Sequence, residues 1–560
     1  MTRRKRILMV NETSHALSGF GTYGKELLHR LVDMDKYEIA EFASSGHLGD
    51  SRDAHVRWRY YPNAVGESDD RYAEYKTKPT FEWGEWRFER VLLDFKPDIV
   101  FDIRDPWMFR WQAQSPLRPF FHWAIMPTVD SSPQEDKWIS SFLEADGVFT
   151  YSDWAIDVLN KQSDNRIKIQ QPAYPGVDLN IFKPVKDKRQ HRIEHGCDPD
   201  AFIIGTVMRN QKRKLYPDLF AAFRQFLNQA PPELAKKTFL YVHTSYPDYV
   251  GWDIPGLLKE FELGSKVIFT YICQGTNRQF CTYFQDARAY SPYANAPVGR
   301  LPNVALGLTT EQMADIFNLF DVYVQYAICE GFGMPQVEAA ACGVPVMAVN
   351  YSAMADVIQK TRGIPLKVQR MFLEFETNAY RAMPDNAYCA KAIEKFLSLS
   401  KQSKAKYSRN ARKAAEEIYN WDRTAKVWAD YFDSVELTGL QGKWNAPPKL
   451  HNIPTAIPDG INNADFVKWL FHAVLNEPEN EYSLLALDTL RELNYGIRVA
   501  DRVIKPVNKE NIFKGYLNKA KNHQHCEQVR SGMLQMGEED YIEYAHMKER
   551  LMQKGKEAAE

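Results

Sequence analysis

Short apolar runs alternate with amphipathic stretches along most of the chain, and that alternation sets the expected fold. The runs at residues 6–10, 37–42, 99–103, 120–125 and 148–150 have the length of buried strands. Between them, residues 25–31, 85–95 and 137–144 carry apolar positions at helical spacing. Strands that alternate with helices imply a parallel sheet covered on both faces. The pattern repeats in the second half, with strands expected at 202–209, 238–243, 267–271 and 321–326. Thr309 followed by Gln312 forms a capping box that should start a helix over 311–320. The expected class is therefore α/β, with two Rossmann-like doubly wound domains over residues 1–188 and 189–435. Residues 273–303, aromatic and proline-bearing, fit no regular element. Residues 436–462 have the prolines and polar residues of a linker, and 463–560 is helical in pattern with a charged end.

Composition narrows the possibilities. A chain of 560 residues exceeds the size at which one core stops growing, so several domains are required. A formal net charge of -1 supplies no global field for nucleic acid or anionic lipid. Seven scattered cysteines argue against a disulfide framework and for a reducing compartment. Cys273 and Cys281 form no Cys-x-x-Cys pair, so no zinc site is expected there. After the basic residues 3–6, the apolar run at 7–10 is too short for a signal-peptide core or a membrane span. A cytoplasmic location without a membrane span is expected.

Three motifs carry chemistry. The first is Gly19-Phe20-Gly21-Thr22-Tyr23-Gly24, expected as a loop between the first strand and a helix starting near Lys25. Its spacing matches a dinucleotide fingerprint, and Glu41 at the end of the second strand could play the ribose-binding acid of a dehydrogenase. The second is the basic turn Arg209-Asn-Gln-Lys212-Arg213-Lys214 after a strand, where Arg and Lys offer distinct anion contacts and Lys212 and Arg213 are expected to face solvent. The third is Glu330-Gly331-Phe332-Gly333-Met334-Pro-Gln-Val-Glu338. Two acids eight positions apart flank a glycine turn that should open a helix, and the freed N–H groups there could meet a polar ligand. Both acids can face one cleft.

The third motif, with Gly343-Val-Pro345-Val after it, resembles the Glu-x7-Glu signature of retaining glycosyltransferases of the GT-B fold, in particular glycosyltransferase family 4. The resemblance covers residues 1 to about 435. It implies that Glu330 lies against the donor sugar beside Gly331, Phe332, Gly333 and Met334, and that Glu338 holds the nucleotide ribose. Arg209 and Lys214 would grip the donor diphosphate, with Gly19, Phe20 and Gly21 facing it. Such enzymes need no metal or other cofactor beyond the nucleotide sugar, most often a UDP-sugar. Many family members place a His after the fourth strand, but the matching positions are Val129-Asp130-Ser131, so Asp130 is the candidate catalytic group there. His122 and Tyr23 are further acceptor-side candidates.

The acceptor is less determined. The motifs together look like those of large glycosyltransferases from tailed-phage genomes, some of which decorate hydroxymethylated cytosine in DNA. Arg52, Arg57, Arg59, Arg71, Lys76 and Lys78, interleaved with Trp58, Tyr60, Tyr61 and Tyr72, could bind DNA phosphate, although Asp69, Asp70 and Glu74 dilute the charge. A cell-surface or small-molecule glycan is the alternative acceptor. A reading from another class is a non-catalytic nucleotide-sugar binding or scaffold protein.

Overall fold

The computed structural model describes residues 3–47, 49–115, 117–293, 298–303, 306–437, 440–447, 449–478, 498–499, 502–503 and 509–531. The first apolar runs form β1 (Lys5–Asn11), β2 (Tyr37–His47), β3 (Arg59–Ala64), β4 (Ile99–Asp102), β5 (His122–Ile125), β6 (Gly147–Thr150) and β7 (Ile169–Pro172). They join in one parallel sheet of order β3-β2-β1-β4-β5-β6-β7. The order reverses between β1 and β4, which opens a crevice beyond their carboxyl ends. β3 lies in the segment read from sequence as a basic surface, because Tyr60 packs inward and is fully buried.

A second sheet begins at β8 (Phe202–Val207) and continues with β9 (Thr238–His243), β10 (Val267–Cys273), β14 (Val322–Gln325), β15 (Val346–Val349) and β16 (Ile364–Leu366). These strands are parallel, in the order β10-β9-β8-β14-β15-β16. The unassigned 273–303 segment becomes β11 (Gln279–Tyr283), β12 (Arg288–Tyr290) and β13 (Val298–Arg300), which extend the sheet antiparallel to its edge. Strands of three to five residues with one exposed face carry too few apolar positions to stand out in the sequence. β17 (Val368–Glu374) and β18 (Ala379–Pro384) form a separate hairpin.

The glycine motif corrects the sequence expectation. The helix Gly19–Asp33 already contains it, capped by Ser18, whose Oγ accepts from the Gly21 N–H at 3.0 Å. A Cβ at Gly21 would lie 2.2 Å from the Ala16 carbonyl oxygen, so this glycine serves the loop's own packing.

After β18, the chain returns to the first lobe through the helix Trp421–Ser434, capped by Asn420. Trp428 is fully buried with Phe101, Phe149 and Phe432, and its Nε1 donates to Tyr23 Oη at 2.8 Å. At the helix end, Lys5 Nζ donates to the carbonyls of Phe432 at 2.6 Å and Val435 at 2.7 Å, the favoured place for a cation. The expected linker is also structured. Its helix Leu440–Asn445 buries Trp444 against Phe120, and Trp444 Nε1 donates to the Pro97 carbonyl at 3.2 Å.

The described part of the extension contains the helix Asn463–Trp469, a π-helical turn Leu470–Leu475, the two-residue antiparallel strands Arg498–Val499 and Arg502–Val503, and the helix Lys509–Arg530. Phe466, Leu470, Phe471, Val474 and Phe513 form a small core of their own, while Cys526 joins the core of the first lobe. The charged end expected from sequence lies outside the described residues.

Candidate functional site

The second lobe builds its part of the site by backbone pairing. The turn after β8 is zipped to the loop after β14, because the Leu215 N–H donates to the Tyr326 carbonyl and the Ile328 N–H to the Arg213 carbonyl, each at 3.0 Å. Asn210, fully buried, fixes the base of the turn with reciprocal 2.9 Å bonds to the Trp252 backbone. Basic turn and acidic loop are therefore one unit.

Glu330 is buried at its centre. Its carboxylate accepts from Arg213 at 2.8 Å and from Lys214 and Gln325, and its own N–H donates to Ser352 Oγ at 3.0 Å. Burial alone would raise the Glu330 pKa, but Lys214 and Arg213 outweigh it and hold the carboxyl far below its usual range. Burial pushes the Lys214 ammonium down to about 8 against the pull of Glu330. Arg213 and Lys212 are both exposed, as expected from sequence, but the Arg213 guanidinium also reaches this acid, a contact the sequence did not disclose.

Beyond Glu330 the chain turns at Gly333, whose φ of +87° is the left-handed conformation glycine adopts without strain, and starts the helix Met334–Ala341 with Pro335 in its first turn. One turn on, Glu338 faces the same space. Its carboxylate accepts no hydrogen bond among the described residues, and burial raises its pKa to about 7. An acid so placed is prepared to accept hydroxyl donors from a ligand.

The two lobes face each other across a cavity of about 780 Å³. Arg209, Lys214, Glu330 and Glu338 line one wall, with Gly331, Phe332, Gly333 and Met334; Glu12, Ser18, Gly19, Phe20, Thr128 and Tyr151 line the other. The volume suits a nucleotide-sized ligand. Arg209 is half exposed and paired with Asp248 at 3.0 Å, so its guanidinium keeps donors for a second anion.

Several expected residues lie elsewhere. Gly21 does not line the cavity. Tyr23 is buried in the first lobe, donating to the Ala173 carbonyl at 3.0 Å, and is a core residue rather than an acceptor-side one. His122 opens β5 at the end opposite the crevice, where its Nε2 meets Tyr431 Oη at 2.7 Å; it anchors the returning helix. Asp130 is also absent from the lining. Its carboxylate accepts from Arg381 at 2.9 Å and from Cys329 Sγ at 3.2 Å, which makes it a tie between the lobes. Glu41, the acid a dehydrogenase would use, is fully buried and accepts from Ser14 N–H, Ser14 Oγ and Trp58 Nε1 within 2.8 Å.

Two acids in the first lobe were missed in the sequence. Glu12 follows β1 and Asp105 follows β4, the strand ends that flank the reversal of sheet order. Burial raises Asp105 to about 7, with Asp130 and Glu12 adding to the effect. The topology rule for ligand sites would have found both once the strand order was known. The basic residues of the proposed DNA surface are meanwhile paired: Arg57 with Asp33 at 2.7 Å, Arg71 with Asp69 at 2.7 Å and Lys76 with Glu82 at 2.9 Å.

Known structures share the fold. The structure of sucrose-phosphate synthase from Thermosynechococcus elongatus superposes with a TM-score of 0.56 at 18% identity, covering 77% of this chain and 100% of that one. The chain has the GT-B fold. Anabaena Alr3699/HepE in complex with UDP-glucose superposes with a TM-score of 0.53 at 13% identity, with 77% and 100% covered. Residues 302–414 match the family model described as glycosyl transferases group 1, a span that holds both cleft acids. A D-inositol 3-phosphate glycosyltransferase of Paenarthrobacter aurescens is 27% identical over 190 residues, 34% of this chain and 37% of that protein. Its counterpart in Streptomyces avermitilis is 26% identical over 263 residues, 47% of this chain and 46% of that protein. The chain thus spans from about a third to about half of these curated relatives. No helix among the described residues is long and apolar enough to cross a membrane.

Proposed function

We propose that the protein is a retaining glycosyltransferase that moves a sugar from a nucleoside diphosphate sugar, with a UDP-sugar favoured, to a hydroxyl acceptor. The observation that carries this reading is the pairing of Glu330 with Lys214 and Arg213, beside a Glu338 carboxylate that has no hydrogen-bond partner among the described residues, on one wall of the interlobe cavity. The name of the D-inositol 3-phosphate glycosyltransferase relatives supports glycosyl transfer, and the UDP-glucose held by Alr3699/HepE supports the donor class.

In this reading the donor ribose hydroxyls donate to Glu338, and the diphosphate lies between Arg209 and Lys214. As the bond from the anomeric carbon to the phosphate oxygen breaks, the cations take up the negative charge gathering on the diphosphate. Ionised Glu330 faces the positive charge that develops on the sugar. The acceptor oxygen bonds to the anomeric carbon on the face the diphosphate leaves, and its proton passes to the departing phosphate oxygen. Configuration is retained, and the cationic side chains supply the charge that a divalent ion would otherwise provide.

For the acceptor, the crevice favours a neutral hydroxyl compound such as a glycan over hydroxymethylated DNA. Glu12 and Glu26 line the acceptor side, and the candidate phosphate-binding side chains are already paired. Incubation with a panel of nucleotide sugars, each with glycan and hydroxymethylated-duplex acceptors, tests both levels. UDP release with retained anomeric configuration in the product is expected. Product of inverted configuration, or no release from any donor, overturns the reading.

A further inference from the structure

Away from the cleft, three side chains converge that the transfer does not use. His191 lies in the helix Lys188–Glu194, His195 is its cap one turn later, and Asp315 lies on the helix Thr310–Leu319. One ligand atom from each lies within 4.8 Å of the other two. Each imidazole directs one ring nitrogen at a backbone carbonyl: His195 Nδ1 at the His191 oxygen and His191 Nε2 at the Asp315 oxygen, both at 2.8 Å. The nitrogen facing a carbonyl must carry the proton, so His195 Nε2 and His191 Nδ1 keep their lone pairs in the neutral rings. His195 Nε2 stands 3.7 Å from Asp315 Oδ2, beyond a good hydrogen bond, and Gln279 Nε2 steadies that same oxygen from 3.3 Å.

Carbonyls that orient imidazoles from behind are the usual outer support of metal-binding histidines, and two histidines four apart present one face. We propose that His191, His195 and Asp315 bind a divalent transition metal, with zinc the best match to two nitrogens and one oxygen and with water completing a tetrahedron. The ion would brace the first helix after the interlobe crossing against the helix that carries Thr310 and Met313 to the cavity wall. It is separate from the diphosphate grip and takes no part in transfer.

The rival account is a His195 imidazolium paired with Asp315, which needs no metal. Titration of EDTA-stripped full-length protein with Zn²⁺, and in parallel with Co²⁺, separates the two. One equivalent bound, a rise in melting temperature and visible cobalt bands of tetrahedral type are expected. Asp315→Asn, which keeps the side-chain shape, and His195→Gln should each weaken zinc binding at least about 10-fold. If His195→Gln does not fold, as judged by circular dichroism, Asp315→Asn decides. Absence of stoichiometric binding by the unaltered protein, or undiminished binding by Asp315→Asn, overturns the proposal. Binding lost only in Cys281→Ser would also overturn it, by moving the ion to Cys197 and Cys281, whose sulfurs lie 3.2 Å apart.

Discussion

Gly331 of the second lobe sits so close to Thr128 of the first that a Cβ placed on it would lie 2.3 Å from Thr128 Cγ2. Both residues line the cavity, so the distance between its walls is set here by the absence of a side chain. Gly331→Ala should push the walls apart and lower kcat/KM by about 10- to 100-fold, because small misplacements of reacting groups are costly. Steady-state kinetics checks this. Thr128→Ser deletes only the offending methyl, and the double variant should recover most of the loss.

Glu330→Gln removes the charge at the centre of the cation cluster while keeping its shape. A fall in kcat of about 10²- to 10³-fold is expected, in line with the loss of one preorganised electrostatic group. Donor affinity measured by calorimetry should change far less. The variant should also be less stable, because Lys214 is left buried without its counter-charge. Equal turnover by both proteins would remove Glu330 from the chemistry.

Glu338→Gln should separate stability from binding. The folded-state pKa of Glu338, about 7, lies above its ordinary value of 4.5, so the native protein holds this proton more tightly than the unfolded chain. Its contribution is most favourable below pH 4.5 and declines as the pH rises from there through about 7, the range over which the buried charge forms. The glutamine variant should therefore be more stable above pH 7, by on the order of 1 to 3 kcal/mol, while binding UDP more weakly. Denaturant unfolding at two pH values and UDP titration check the two halves.

The same groups shape the pH dependence of kcat/KM. Glu338 gains its charge through about pH 7, and Lys214 loses its charge through about pH 8, so the free enzyme is competent in a narrow window between them. A bell-shaped profile is expected. Lys214→Arg should carry the alkaline limb to higher pH, since guanidinium stays protonated.

What the sequence disclosed about this site follows from how local each feature is. The Thr309–Gln312 capping box and the strand that delivers Glu330 depend on a few adjacent residues, and both were legible. The pairing of Arg213 with Glu330 was not, because the bond from Ile328 N–H to the Arg213 carbonyl that brings the two together comes from a loop over a hundred positions away. His122 looked like a crevice residue because strand membership can be read from the sequence more easily than which end of the strand faces the ligand. Asp130 was placed correctly on a loop, but its partner Arg381 arrives on the hairpin of β17 and β18, which has no local trace in residues 120–135.

The helix Trp421–Ser434 has a consequence for how the molecule is made. The first sheet is complete in sequence by Pro172, yet Tyr23, Phe101 and Phe149 close around Trp428. During synthesis the ribosome must extrude the entire second lobe before that indole arrives. The amino-terminal half therefore waits as an open-faced intermediate, and its apolar surface is a natural client for chaperones until the returning helix has emerged.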